Sequence, residues 1–214
     1  MAGLSGVSRA PARDWRPVLA PRYNRRMSDL PILDVPTLHT ARTIMTLPPP
    51  SDAALLLGYR LRNRAHLAPW EPAHSEDYFT EAAARRRLEQ SIVEAREGSA
   101  LHFVALDRGS GAVVATCAFT NIVRGVLQAC HLGFSVAAEC QGAGLMHEVA
   151  AAGIAHMFNQ EKLHRIMACH MPSNLRSSAL LGKLGFEREG FARSYLLING
   201  AWEDMVLTSL INAD

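Results

Sequence analysis

The sequence predicts an α/β (α+β) chain, a mixed and mainly antiparallel sheet flanked by helices. Two hairpin signals carry the antiparallel part: Asp107-Arg108-Gly109-Ser110-Gly111 joins two β-rich runs, and Asn199-Gly200 sits between two more near the C-terminus. A third observation limits the parallel part. Only between residues 127 and 170 does the pattern read strand, glycine turn, helix, strand, so one β-α-β unit is expected and a uniformly parallel sheet does not fit. With 214 residues, 49% hydrophobic and 20% charged, the chain has the size and composition of a single folded domain.

The first 26 residues hold six arginines against Asp14, a charge of +5, so the formal total of +2 leaves −3 for the rest. Pro11, Pro17 and Pro21 interrupt them and no hydrophobic period is visible, so residues 1–36 read as a basic, poorly structured extension. Three explanations stay open: an inert tail, a tether to the ribosome, or a start placed upstream of Met27. The apolar centre of a secretory signal is lacking. The mildly acidic remainder disfavours direct nucleic-acid binding by the domain and suits a basic peptide as acceptor. No run nears the roughly 20 apolar residues of a membrane span, and the expectation is a cytoplasmic protein, monomeric or homodimeric.

Leu38 to Leu47 reads as the first strand. Ser51 is placed to cap a helix through Ala53, Leu56, Leu57 and Leu61, and after a break at His66–Pro72 a second helix spans Ser75 to Glu97. Strands follow over Leu101–Leu106, Ala112–Phe119 and Leu127–Val136. Next come the turn Gln141-Gly142-Ala143-Gly144, a helix to Phe158, a strand over Arg165–His170 and a helix from Asn174 to Leu184. The Asn199-Gly200 hairpin ends the order β-α-α-β-β-β-α-β-α-β-β.

The glycine turn carries the chemistry. A helix N-terminus offers unpaired N–H groups and partial positive charge, and glycines let the backbone approach a pyrophosphate closely. Alone, the spacing also suits an ordinary tight turn. A nucleotide P-loop would need Lys and Ser or Thr where Leu145-Met146 stands, and a dinucleotide fingerprint would need glycine at His147.

Leu132-Gly133-Phe134-Ser135-Val136, then Gln141-Gly142-Ala143-Gly144-Leu145, then Asn174-x-x-Ser177 and Gly185-Phe186 resemble the core of the GNAT acetyltransferases over most of residues 37–212. Within that superfamily Pro69-Trp70-Glu71-Pro72, Phe119-x-Asn121-x-Val123-Arg124-Gly125, His164-Arg165-Ile166-Met167-Ala168 and Tyr195-Leu196-Leu197-Ile198-x-Gly200-x-Trp202 resemble the RimJ-type ribosomal-protein-alanine N-acetyltransferases. The resemblance implies a GNAT acyltransferase fold in a domain spanning 37–212, with acetyl-CoA as co-substrate. It also implies the N-terminal segment of a ribosomal protein as acceptor, with acetylation of a small-molecule amine and a non-catalytic acetyl-CoA-binding, ribosome-associated module as the alternative readings.

By that resemblance Phe134, Ser135 and Val136 hold the pantetheine and thioester through their backbone. Gln141, Gly142, Ala143, Gly144, Leu145 and Met146 surround the pyrophosphate, Asn174 contacts the cofactor arm, and Ser177 protonates the departing thiolate. Ser177 also reads simply as a serine near a helix start. Relatives place a glutamate base on the penultimate strand, where Leu196 stands here, so no base is identified. His131, on the strand nearing the thioester, either relays the amine proton or packs as an ordinary strand histidine. Trp70, Glu71, Asn121, Arg124 and Tyr195 are the acceptor-side candidates; Trp70 also reads as a loop anchor, Glu71 as a solvated carboxylate, and Tyr195 with Trp202 as cross-strand packing. Glu148 faces away if Leu145 and Val149 face the sheet. Cys117, Cys130, Cys140 and Cys169 show no CxxC spacing and read as packed thiols. His164 and His170 lack metal-ligand spacing, so no metal is expected.

Overall fold

A computed structural model describes residues 36–213; the expectation for the basic extension therefore lies, except for its last residue, outside them. Thr40 divides the expected first strand into β1 (Leu38–His39) and β2 (Thr43–Thr46). Its N–H donates to the Thr43 carbonyl at 3.0 Å and its hydroxyl accepts from the Thr43 N–H at 2.9 Å, which closes a tight turn. Ser51 does not cap α1 (Ala53–Arg62), because Pro50–Asp52 already form a 3-10 turn and the Ser51 hydroxyl reaches the Asp52 carboxylate. The fixed φ of Pro50 starts that turn earlier than the cap reading expects.

A short helix α2 (Arg64–Leu67) and a 3-10 turn over Ala68–Trp70 lead into Glu71. The next helix, α3 (Glu81–Glu97), starts later than Ser75. Glu76–Phe79 form a separate 3-10 turn, and Thr80 is the cap, its hydroxyl accepting from the Ala83 N–H at 3.2 Å. Gly98, at φ 68°, ends the helix in the left-handed conformation.

The remaining elements are β3 (Leu101–Asp107), β4 (Val113–Val123), β5 (Ala129–Val136), α4 (Leu145–Asn159), β6 (Arg165–His170), α5 (Leu175–Lys183), β7 (Glu187–Ile198) and β8 (Ala201–Ile211). They build one 8-stranded sheet in the order β1-β2-β3-β4-β5-β6-β8-β7. Every pairing is antiparallel except β5 with β6, as the single β-α-β pattern requires. β7 is an edge strand whose register shifts twice, between Arg188 and Gly190 and between Ala192 and Leu196.

Strand alternation divides the core between the two faces. Phe103, Cys117, Phe119, Leu132, Ile166 and Ala168 pack with Val149, Ala150, Ile154 and Met157 of α4 and Leu181 of α5. Val104 and Val113 pack on the other face with Leu56 and Tyr59 of α1, Leu67 of α2, and Ala84 and Leu88 of α3. Helices cover both faces, and no helix of the described residues is long and apolar enough to cross a membrane.

Close approach of α4 to the sheet depends on Gly153. A Cβ there would lie 2.7 Å from Cε2 of Phe119 and 3.4 Å from Sγ of Cys117, both fully buried. Gly153→Ala should therefore lower unfolding free energy by about 2 kcal/mol despite alanine's better helix propensity. Urea denaturation checks this, and an unchanged midpoint would show that the interface can relax.

Candidate functional site

The site begins where two parallel strands part. β5 pairs with β6 only from Ala129–Arg165 to His131–Met167. Beyond that point β5 stays with β4 as far as Val136, and β6 stays with β8 as far as His170. Leu132–Val136 and Ala168–His170 are left facing each other across a wedge, with strand N–H and C=O groups available to a ligand.

Side chains on the opposite sheet face fix the outer arm of the wedge. The hydroxyl of Tyr59 on α1 lies 2.8 Å from Ser135 Oγ, and Thr116 Oγ1 on β4 lies 2.7 Å from the same oxygen. Asn63, fully buried, donates to the Tyr59 carbonyl and accepts from the Ala138 N–H, each at 2.9 Å. The end of β5 is thus tied to α1 and β4. The Ser135 side chain is spent on this network, so only its backbone is available on the wedge.

Past the wedge, Ala138–Cys140 form a 3-10 turn and Gly142 and Gly144 adopt φ 76° and 74°, which brings the chain sharply into α4. The Glu148 N–H makes the helix-opening bond to Gly144 O at 3.2 Å and the Gln141 N–H donates to the Ala138 carbonyl at 3.3 Å, so the amides from Gly142 to Met146 between them are free. Leu145 and Met146 are buried, leaving their main chain as the part that meets a ligand.

Two arginines that sequence reasoning missed flank this turn. Arg42 donates from its amide and Nε to the Glu148 carboxylate at 2.8 and 2.7 Å, and from NH1 to the Ala143 carbonyl at 2.9 Å. Burial opposes the charge of Glu148, but the Thr40 hydroxyl and then these Arg42 donors hold its carboxyl below the usual range. On the other side Arg176 of α5 donates to Gln141 Oε1 at 2.7 Å, and Gln141 Nε2 lies 3.0 Å from His66 Nε2. Arg176 was readable as a variable position of Asn174-x-x-Ser177. Arg42 had no local signal, since only folding brings it to residues more than a hundred positions away.

Asn174 caps α5, its Oδ1 accepting from the Ser177 N–H at 3.1 Å. Ser177 is half-buried in the first turn of that helix, and its hydroxyl makes no hydrogen bond among the described residues. His131 stands at the vertex of the wedge as the last β5 residue paired with β6, and its Nδ1 is buried without a partner. Phe134 and Val136 pack toward α4.

The acceptor-side candidates lie on three separate stretches of the chain. Trp70 is 39% exposed at the end of its 3-10 turn. Glu71 is not the free carboxylate expected to draw a basic peptide, because Arg60 NH1 holds it at 2.7 Å with both side chains mostly buried. Arg124 is paired with Glu161 beside the Ala129 end of β5, and Asn121, at φ 50°, sits in the bulge just after Thr120, which pairs with His131 at the vertex of the wedge. Tyr195 lies on the irregular stretch of β7, where the neighbouring Ser194 N–H donates to Asp204. Burial pushes the thiols of Cys117 and Cys130 up to about 12, which leaves them protonated and poor nucleophiles. Among the described residues no cluster of His, Cys, Asp or Glu suits a metal.

Residues 42–187 match the acetyltransferase (GNAT) domain family. The chain is 41% identical over 177 residues to the [ribosomal protein uS5]-alanine N-acetyltransferase of Escherichia coli (strain K12), covering 83% of this chain and 91% of that protein. The ribosomal-protein-S5-alanine acetyltransferase of Vibrio fischeri superposes with a TM-score of 0.80 at 40% identity, covering 84% and 98% of the two chains. Mycobacterium smegmatis RimJ in complex with CoA-disulfide superposes at 0.74 with 31% identity, covering 83% and 86%.

The Tyr59 hydroxyl is pushed up to about 12, chiefly by burial and against the lowering effect of its bond to Ser135. With the folded value above the unfolded one near 10, its contribution is complete below pH 10 and is lost as pH rises toward 12. Tyr59→Phe should cost about 1 kcal/mol at neutral pH while removing this residue's share of the alkaline loss. Urea unfolding at pH 7 and pH 11 tests both; an identical alkaline slope in the two proteins counts against the assignment.

Proposed function

The chain belongs to the GNAT acetyltransferase family and is an acetyl-CoA-dependent N-acetyltransferase, and on that premise we propose that it acetylates the N-terminal α-amine of an alanine on a ribosomal protein of the uS5 type. The observation that carries the reading is the wedge between β5 and β6 above the glycine turn. It joins a strand edge suited to an amide-bearing arm to a helix N-terminus suited to a pyrophosphate. Arg42 and Arg176, with guanidinium nitrogens to spare, reinforce the positive end.

In this reading the backbone of Phe134, Ser135 and Val136 holds the pantetheine arm and thioester, and a strand N–H stabilises the oxyanion that forms there. The free amides from Gly142 to Met146 take the pyrophosphate, with Gln141 beside it. Asn174, by capping α5, orients the turn that carries Ser177 and presents its amide to the cofactor arm. The amine nitrogen attacks the thioester carbonyl directly, the carbon–sulfur bond breaks, and the Ser177 hydroxyl gives its proton to the leaving thiolate. His131, with an unpartnered ring nitrogen at the vertex, accepts the amine proton through water.

An α-amine suits so modest a base. Its pKa of about 7.7–8.0 leaves an appreciable neutral fraction near pH 7, whereas a lysine near 10.4 would cost roughly 3.5 kcal/mol more to deprotonate. Burial raises the thiols of Cys130 and Cys140, the two cysteines near the site in sequence, which favours this direct route over an acyl-cysteine intermediate.

Incubation with labelled acetyl-CoA and small-subunit ribosomal proteins, followed by intact mass and peptide sequencing, should place one acetyl group on an N-terminal alanine. Label confined to lysines or small amines would defeat the acceptor assignment. Ser177→Ala should lower kcat by about 100-fold with little change in the KM for acetyl-CoA; an unchanged kcat would remove Ser177 from the mechanism.

A further inference from the structure

Glu71, neutralised by Arg60, borders a cavity of about 190 Å³. Arg60, Arg64, Leu67, Glu71, His74 and Asn199 line it, and the Asn199 N–H donates to the Glu71 carbonyl at 3.0 Å, joining the β7–β8 hairpin tip to the Pro69–Pro72 loop. This is smaller than the roughly 300–1,000 Å³ of a site for a whole small molecule. It suits one side chain.

The charges around it are unbalanced. Within the lining Arg60 pairs with Glu71, whereas the partner of Arg64 is Glu76, which does not itself line the cavity. His74 stacks on the Tyr78 ring with centroids 3.6 Å apart. Burial is the largest influence on its pKa and lowers it, against the raising effect of Glu71, so it adds no charge at neutral pH. The lining thus carries Arg60 and Arg64 against Glu71, one positive charge in excess, which disfavours a lysine or a second cation and favours an anion.

Arg64 is the group placed to receive it. Its guanidinium lies 4.2 Å from the centre of the Phe79 ring, which holds the plane in place, and its fork is occupied by both carboxylate oxygens of Glu76, whose side chain is 81% exposed. A carboxylate entering from the cavity would displace that exposed partner and meet the same two-bond fork.

We infer that this cavity is a subsite for an acidic side chain of the acceptor polypeptide, a few residues beyond the acetylated amine, with Arg64 as its donor. The inference rests on the reading of the acceptor as a protein N-terminus. It also reverses the expectation of a basic peptide drawn from the overall charge.

The test is a set of matched alanine-initiated peptides carrying Glu, Gln or Lys at each of the second to sixth positions, assayed with acetyl-CoA. At one position Glu should raise kcat/KM about tenfold over Gln, mainly through KM, and Lys should lower it. Arg64→Met should bring the Glu-to-Gln ratio close to one, Arg64→Lys should keep part of it, and Glu76→Gln should increase it by releasing Arg64. A purely structural Arg64–Glu76 pair would instead make Arg64→Met and Glu76→Gln behave alike, which overturns the subsite. Acetylation of every peptide with no preference for Glu also overturns it while leaving the polypeptide acceptor standing. Acetylation of none, although small-subunit proteins are labelled, overturns it as well; failure on those proteins too defeats the acceptor reading underneath.

Discussion

Everything the site does depends on β5 being held more firmly on one side than on the other. Ser135 receives two hydroxyl contacts from Tyr59 and Thr116, and Asn63 binds the Ala138 amide just past the strand. β6, meanwhile, keeps its full pairing with β8. Neighbouring parallel strands normally close against each other because unpaired main-chain groups are costly. Here each strand keeps its far-side ladder, which holds it in place, while its near-side N–H and C=O groups past His131 and Met167 are left for solvent or a ligand.

The same economy governs the charged groups. Around the glycine turn, Arg42 links the first strands to the start of α4, and Arg176 links α5 to Gln141. Both therefore shape the turn and leave positive charge beside its free amides. Around the acceptor loop, Arg60 removes Glu71 from the surface count. A tally of acidic and basic residues misses such pairings, and that is why the net charge of the body points to one kind of peptide while the cavity favours another.

Much of the architecture was legible because it is written locally. Asn199-Gly200 and the Asp107–Gly111 turn close hairpins, and the glycine turn opens a helix. What failed were boundaries set by a single competing bond: Thr40 breaking the first strand, Pro50 pre-empting the Ser51 cap, and Thr80 capping in place of Ser75. For the site, the motifs that resemble an acetyltransferase core mark the residues around the wedge, and GNAT membership agrees with them. Arg42, the Tyr59–Ser135–Thr116 network and the Arg60–Glu71 pair were beyond reach because their partners meet only after folding.

β7 forms the outer edge of the sheet and spans twelve residues, long enough to serve as a template for another chain. Its two register shifts prevent that. Around the second of them Ser194 takes φ 47° and its N–H is claimed by the Asp204 carboxylate, while Glu187, Arg188, Glu189 and Arg193 stud the strand with charge. A straight ladder of free donors and acceptors is thereby cut into short pieces. The irregularity that makes this strand look poorly formed guards the protein against edge-to-edge aggregation while leaving Phe191, Tyr195 and Leu197 exposed.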